Sequence, residues 1–249
     1  MSRTSDRFNK IGMGVNPHVS ILGPDKVPAD LGTGYLVPQS NRHVEIFDDF
    51  IQPTFSATEG VGVWKATVDS GGAITVAPAA GGHVVMTTDT TDDDDLQLHS
   101  ADEWFSFSAT KDLAFEIRAK CDNTNVGLFY GLAETPIVQG DLNATILAES
   151  LCGFHMNEVA SILFTTCDDT TATTTDTGVD AVADTFVTLG FTYTAADTTW
   201  RAYVNGELKV TSTATTNPAS ELGIVMAMRK GDGSANVTTI DYVYCSAEM

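Results

Sequence analysis

Long apolar runs are missing from this sequence: no stretch approaches the roughly 20 residues that a membrane-spanning helix requires. Cysteine is scarce and scattered. Cys121, Cys152, Cys167 and Cys245 contain no Cys-x-x-Cys pair, so neither a zinc cluster nor a dithiol redox motif is spelled out. Free cysteine behaves as a small buried hydrophobe, and the four read as reduced core thiols, with a bridge from Cys152 to Cys167 across a hairpin left open. Positive charge is also in short supply, with 13 Lys and Arg against 33 Asp and Glu and a formal net charge of −20. Such a field repels phosphates and anionic bilayers, so neither nucleic acid nor membrane is an expected partner. Helix signals are sparse, confined to residues 141–150 and a turn near 218–222. The first ten residues are charged but lead into Gly, Asn and Pro instead of an apolar segment, and an export signal is not expected.

What is present divides into an arm and a body. Residues 1–44 hold Pro17, Pro24, Pro28 and Pro38 among five glycines, too many breakers for a helix or a central strand. The same stretch keeps Phe8, Ile11, Val15, Val19, Ile21, Leu22 and Tyr35, more apolar side chains than a purely solvated tail carries. It reads as an arm lying extended on something else; an arm folded back on its own domain is the alternative. Arg3, Arg7, Lys10, Lys26 and Arg42 make it neutral to mildly basic, whereas the body carries the acidity.

From residue 45 to 249 the pattern is all-β, read as one domain. Strands are expected at 44–50, 62–68, 73–77, 83–88, 96–99, 113–121, 126–133, 151–156, 162–166, 186–193, 200–204, 207–211, 223–228 and 237–245. Short strands at this spacing favour an antiparallel β-sandwich or jelly roll. Along 113–121, Leu113, Phe115, Ile117, Ala119 and Cys121 share one face, and Glu116, Arg118 and Lys120 the other. Asn205 and Gly206 follow an alternating strand and supply the two positive-φ positions of a type I′ turn.

EIFDDF at 45–50, VGLFYGL at 126–132, WRAYVNG at 200–206 and IDYVY at 240–244 together resemble the concanavalin A-like (LamG/glucanase-like) jelly-roll superfamily over residues 45–247. Within it the chain is similar in make-up to structural proteins of tailed bacteriophages, particularly head decoration or cement proteins. That resemblance implies a non-enzymatic virion protein without cofactor, assembled in the host cytoplasm and attached to the capsid exterior. It further implies a homotrimer clamped onto the major capsid protein. The arm residues Phe8, Ile11, Val15, Val19, Ile21, Leu22 and Tyr35 are then the partner-binding set. The alternative is a carbohydrate-binding adhesion module on the phage surface or tail, using the concave sheet; it requires exposed aromatics beside Asp or Asn there.

Catalytic constellations are absent from the pattern. Retaining glucanases of this fold space two glutamates around an aspartate on one strand so that alternate side chains reach one cleft. Here Glu116 has Arg118 and Lys120 at those positions, and no catalytic residue is assigned. His18, His43, His83, His99 and His155 are isolated, and no metal ligand set is assigned. There is no Gly-x-Ser-x-Gly elbow or phosphate loop. Asp89 with Asp92, Asp93, Asp94 and Asp95 reads as a solvated loop, a Ca²⁺ site being the alternative. The Thr-rich stretch 167–178 reads as an exposed hairpin tip. Trp64 and Trp200 fall in alternating strands and read as core, while Trp104, Phe105 and Phe107 read as a surface or interface patch.

Overall fold

The computed structural model of the chain describes residues 43–50, 55–56, 63–68, 71–77, 82–90, 95–135, 149–213, 216–219, 221–231 and 234–248. Among them there is no helix, and 17 strands, numbered in chain order, form two sheets. Across the eight-stranded sheet run β15 (Glu207–Thr213), β14 (Thr199–Val204), β13 (Val187–Thr194), β8 (Leu113–Cys121), β17 (Val237–Glu248), β5 (His83–Thr87) and β4 (Ala73–Ala77). Beside β5, β1 (His43–Asp48) pairs with the far half of β17. The nine-stranded sheet runs β12 (Ala172–Asp180), β11 (Ser161–Asp168), β10 (Ser150–Asn157), β9 (Val126–Ala133), β16 (Glu221–Lys230), β6 (Asp95–Ser100), β3 (Trp64–Val68) and β2 (Phe55–Ser56). In that sheet β7 (Phe105–Ser106) pairs with β16. All pairings are antiparallel except β2 with β3.

Period-two alternation explains the sandwich. On β8 the five residues from Leu113 to Cys121 at odd positions enter the core, and on β14 Trp200, Ala202 and Val204 do. Trp200 is the hub of an aromatic cluster, 5.8 Å from Phe191, 4.9 Å from Tyr193 and stacked 5.5 Å from Phe107. Its indole N–H still has to be satisfied in an apolar interior, and it donates to Asn217 Oδ1 at 3.0 Å. Trp64 donates likewise to Asp48 Oδ2 at 2.6 Å, while the other oxygen of Asp48 accepts from the Phe50 amide at 2.7 Å. Asp48, the first aspartate of the EIFDDF motif, thus fastens the end of β1 to the opposite sheet. The two motifs that open and close the body also meet, Phe47 opposite Tyr244 and Asp48 opposite Val243.

Three expectations need correction. The Thr-rich stretch is a hairpin tip only at 169–171, which is exposed; from 172 it runs on as β12, the edge of the nine-stranded sheet. Trp104, Phe105 and Phe107 are not a surface patch, since Phe105 is 1% exposed and the other two pack partly buried against the core. A Cys152 to Cys167 bridge is excluded by register. Cys152 lies opposite Thr166 and Cys167 opposite Leu151, so the two side chains leave opposite faces of the sheet. All four cysteines are free and buried.

One extra residue in β17 re-aims the side chains of its second half. Ile240 pairs with Ala119, but Tyr242 pairs with Arg118, so Asp241 is a bulge. Before it the even positions Thr238 and Ile240 are buried; after it the odd positions Val243, Cys245 and Ala247 are. The bulge therefore sends Tyr242 and Tyr244 to the outer face.

Candidate functional site

The arm residues Phe8, Ile11, Val15, Val19, Ile21, Leu22 and Tyr35 lie outside the described residues, as do Asp92, Asp93, Asp94 and most of the expected 141–150 segment. Asp95 stands on β6 opposite Arg229. Among the described residues no group of three or more His, Cys, Asp or Glu is placed to hold a metal.

The outer face of the nine-stranded sheet is closed. Its central rows place Gln97, Ala227, Phe129, His155 and Leu163 across β6, β16, β9, β10 and β11, and beside them His99, Val225, Gly131, Gly153 and Thr165. Phe129, Leu151, Cys167, Val225 and Ala227 form a second apolar cluster there. The strands pass so closely at Gly131 and Gly153 that a Cβ on Gly131 would sit 2.6 Å from the Gly153 Cα. The two histidines are held neutral by burial, which lowers His99 and brings His155 down to about 4. His99 is fixed through Nδ1 at 2.8 Å from the Ser100 carbonyl, and His155 through Nδ1 at 3.1 Å from Thr165 Oγ1. The one aromatic among these positions, Phe129, is 0% exposed, so the platform of exposed aromatics required for sugar stacking is not on this face. Asp95 on β6 and Asp176 on β12 stand five strand spacings apart, about 24 Å at the usual interstrand distance. Glycosidase carboxylate pairs stand about 5–9.5 Å apart.

The outer face of the eight-stranded sheet is different. One row crosses it as Phe47, Tyr244, Glu116, Gly190 and Tyr203, from β1 through β17, β8 and β13 to β14. Flanking rows bring Glu45, Ser246, Ala114, Thr192 and Arg201 on one side and Tyr242, Arg118 and Thr188 on the other. Phe47, Tyr203 and Tyr242 are half-buried, leaving ring surface at the solvent. Phe47 and Tyr242 pack with centroids 6.0 Å apart.

Glu116 is the outlier in that row. On an outward position of a sheet it is 3% exposed. Oε1 accepts from the Tyr242 hydroxyl at 2.6 Å, while Oε2 is buried without a hydrogen-bond partner; the buried Tyr244 hydroxyl has Ser246 beside it. Burial pushes the Glu116 carboxyl up to about 7, against the opposing Tyr242 hydrogen bond. Burial likewise raises both tyrosines, which stay protonated. Glu45, 7% exposed, is a second carboxylate in the patch, and its charge, like that of Glu116, acts on Tyr244. Neither neighbouring arginine is turned to Glu116. Arg118 is paired with Asp241 and lies 4.1 Å over the Phe186 ring; Arg201 is paired with Asp197.

Sequence reasoning placed Glu116 on the polar side of its strand but had no means to bring Tyr242, Tyr244, Glu45 and Tyr203 to it. The relevant signal was there in the same-parity spacing of Glu45 with Phe47 and of Tyr242 with Tyr244. Which strand neighbours which is not contained in that spacing.

Between the sheets, a cavity of about 20 Å³ near Cys121, Tyr130, Met156 and Leu189 has room for about one water and offers no ligand pocket.

No protein-family model matches the chain, and no curated protein sequence matches it. Solved structures do. A protein of unknown function from Shewanella oneidensis MR-1 is similar with a TM-score of 0.61 at 12% identity, covering 87% of this chain and 91% of that one. Peanut lectin is similar with a TM-score of 0.58 at 14% identity over 82% and 97% of the two chains. A Bacillus licheniformis β-glucanase is similar with a TM-score of 0.54 at 15% identity over 81% and 97%. The chain has the concanavalin A-like jelly-roll fold, an architecture that hosts both lectins and glucanases.

Proposed function

We propose that this chain is a carbohydrate-binding module that engages its ligand on the outer face of the eight-stranded sheet without hydrolysing it. The observation that carries the reading is the row Phe47, Tyr244, Glu116, Gly190 and Tyr203, in which aromatic rings flank a polar centre next to a position without a side chain. Sugar rings present one apolar face and a rim of hydroxyls. The half-buried rings of Phe47, Tyr203 and Tyr242 suit the apolar face, and the polar groups among them suit the rim. The likeness to a lectin and a glucanase agrees with a carbohydrate ligand, while this chain lacks the paired glutamates of the glucanase pattern.

A glycan array probed with the full chain tests this. Binding to at least one glycan class is expected, lost in Tyr203→Ala and Tyr242→Ala variants that keep the wild-type melting temperature, with no release of reducing ends. Silence across a broad array, or binding indifferent to both tyrosines, overturns the reading.

A second reading, attachment to a capsid exterior as a homotrimer on the major capsid protein, rests on the arm. Residues 1–44 carry five of the 13 basic residues but three of the 33 acidic ones, so charge favours docking of that segment on an acidic surface. Co-sedimentation of the chain with phage heads is expected if it holds; failure to co-sediment removes it. The two readings are compatible, since an exposed virion protein can also adhere to glycans.

A further inference from the structure

The Glu116 patch has an electrostatic shortage that hydroxyl recognition alone does not explain. A carboxylate withdrawn from water needs a hydrogen bond to each oxygen or a cation beside it. Glu116 has a donor on Oε1 only; Oε2 is buried and unmatched, beside a buried Tyr244 hydroxyl that has Ser246 as its partner. An unmatched buried polar atom in a folded protein calls for an explanation, and here three aromatic residues, Phe47, Tyr203 and Tyr242, stand around it in the same and the adjacent row. Aromatic rings beside a carboxylate are surroundings that an organic cation prefers. The cations already at hand are engaged elsewhere, Arg118 with Asp241 and Phe186, and Arg201 with Asp197.

We infer that the Glu116 and Tyr244 position is a subsite for an ammonium group, so that the glycan this face takes carries a positively charged nitrogen, as an amino sugar does. The inference rests on the glycan reading for the sugar, and on Glu116 alone for the charge. A cation seated there draws Glu116 into its ionised form, so binding of a permanently charged ligand strengthens as pH rises through the titration of Glu116. Glu116 is faced by Tyr242 and Tyr244 from β17, with Arg118 on its own strand; β13 places Thr188, Gly190 and Thr192 beside it, and Tyr203 and Arg201 stand one strand further, on β14. Beyond these lie Glu45 from β1 and, at the Arg118 end, Asp241 with His83 at 3.2 Å. The tyrosines stay neutral through this range because burial raises them.

The test uses the full chain with three probes: an N,N,N-trimethylated glucosamine oligomer, the N-acetylated oligomer of equal length, and choline as a cation without a sugar. Calorimetric titration at pH 8 is expected to favour the trimethylated over the acetylated oligomer by at least about tenfold, the gain of a buried charge that finds its partner. That preference is expected to vanish in Glu116→Gln and to shrink in wild type between pH 8 and pH 6. Choline competes with the trimethylated oligomer. If choline binds in a Glu116-dependent manner and no oligomer does, the cation subsite stands and the glycan reading falls. If the acetylated oligomer binds as well as the trimethylated one, or the wild-type pH profile is flat, the cation subsite falls and the glycan reading stands.

Discussion

Glu116 makes the stability of the molecule depend on pH in a direction unusual for a carboxylate. Its folded-state value of about 7 lies above the ordinary 4.5, so the folded chain holds this proton more tightly than the unfolded one. The contribution is present below about pH 4.5 and is lost as pH rises through 7. At about 1.4 kcal/mol per unit, Glu116→Gln is expected to stabilise the protein by roughly 3 kcal/mol at pH 8. At pH 4 the variant and the wild type are expected to converge; thermal melts across that range check it. His155 acts oppositely: brought down to about 4, it adds stability above about 6.5 that is lost as pH falls through 4. The thiols give a further expectation. All four are buried, and burial raises Cys152 and Cys245, so an aromatic disulfide reagent is expected to label none in the native state and four in denaturant. Rapid native labelling of any one contradicts its placement. At this scale the burial of Cys121, Trp64 and Trp200 was legible in the sequence, because each sits at a same-parity position of an alternating strand. The burial of Glu116 was not, since its neighbours come from strands up to 126 residues away.

Elements were legible where alternation or bounding turn residues marked them. β8, β9 and β4 occupy the expected residues, each being a run bounded by turn-forming residues. β12 escaped notice because threonine on both faces of an edge strand produces no apolar alternation; its threonines instead bond to Thr165 and Thr216 at 2.8 and 2.7 Å. The bulge at Asp241 was equally invisible, as it is defined by its partner strand. The turn between β14 and β15 was legible because its chemistry is local. Asn205 and Gly206 adopt φ of +52° and +79°, and Gly206→Ala is expected to cost about 1 kcal/mol by placing a Cβ in the left-handed region. Equilibrium denaturation measures this, and an unchanged midpoint would contradict the turn geometry.

At the scale of the whole molecule, two sheets close over a single main core and leave two unlike outer faces, one shut, with its polar side chains buried among apolar ones, the other tyrosine-lined and acidic. The fold class followed from strand spacing, whereas the candidate site did not: it is a product of strand order, which brings β1 and β17 together from opposite ends of the body. That same juxtaposition sets how the body responds to being pulled. His43 pairs with Glu248, and the register runs inward from there to Asp48 and Val243. A load applied between residues 43 and 248 therefore acts across the ladder and breaks its hydrogen bonds one pair at a time, instead of shearing them together. In an optical trap with handles at those residues, β1 is expected to peel away at low force as a short first extension, before the sandwich ruptures. A single rupture with no earlier step would show that the Trp64 to Asp48 bond and the burial of Ile46 hold β1 as firmly as the sandwich holds together.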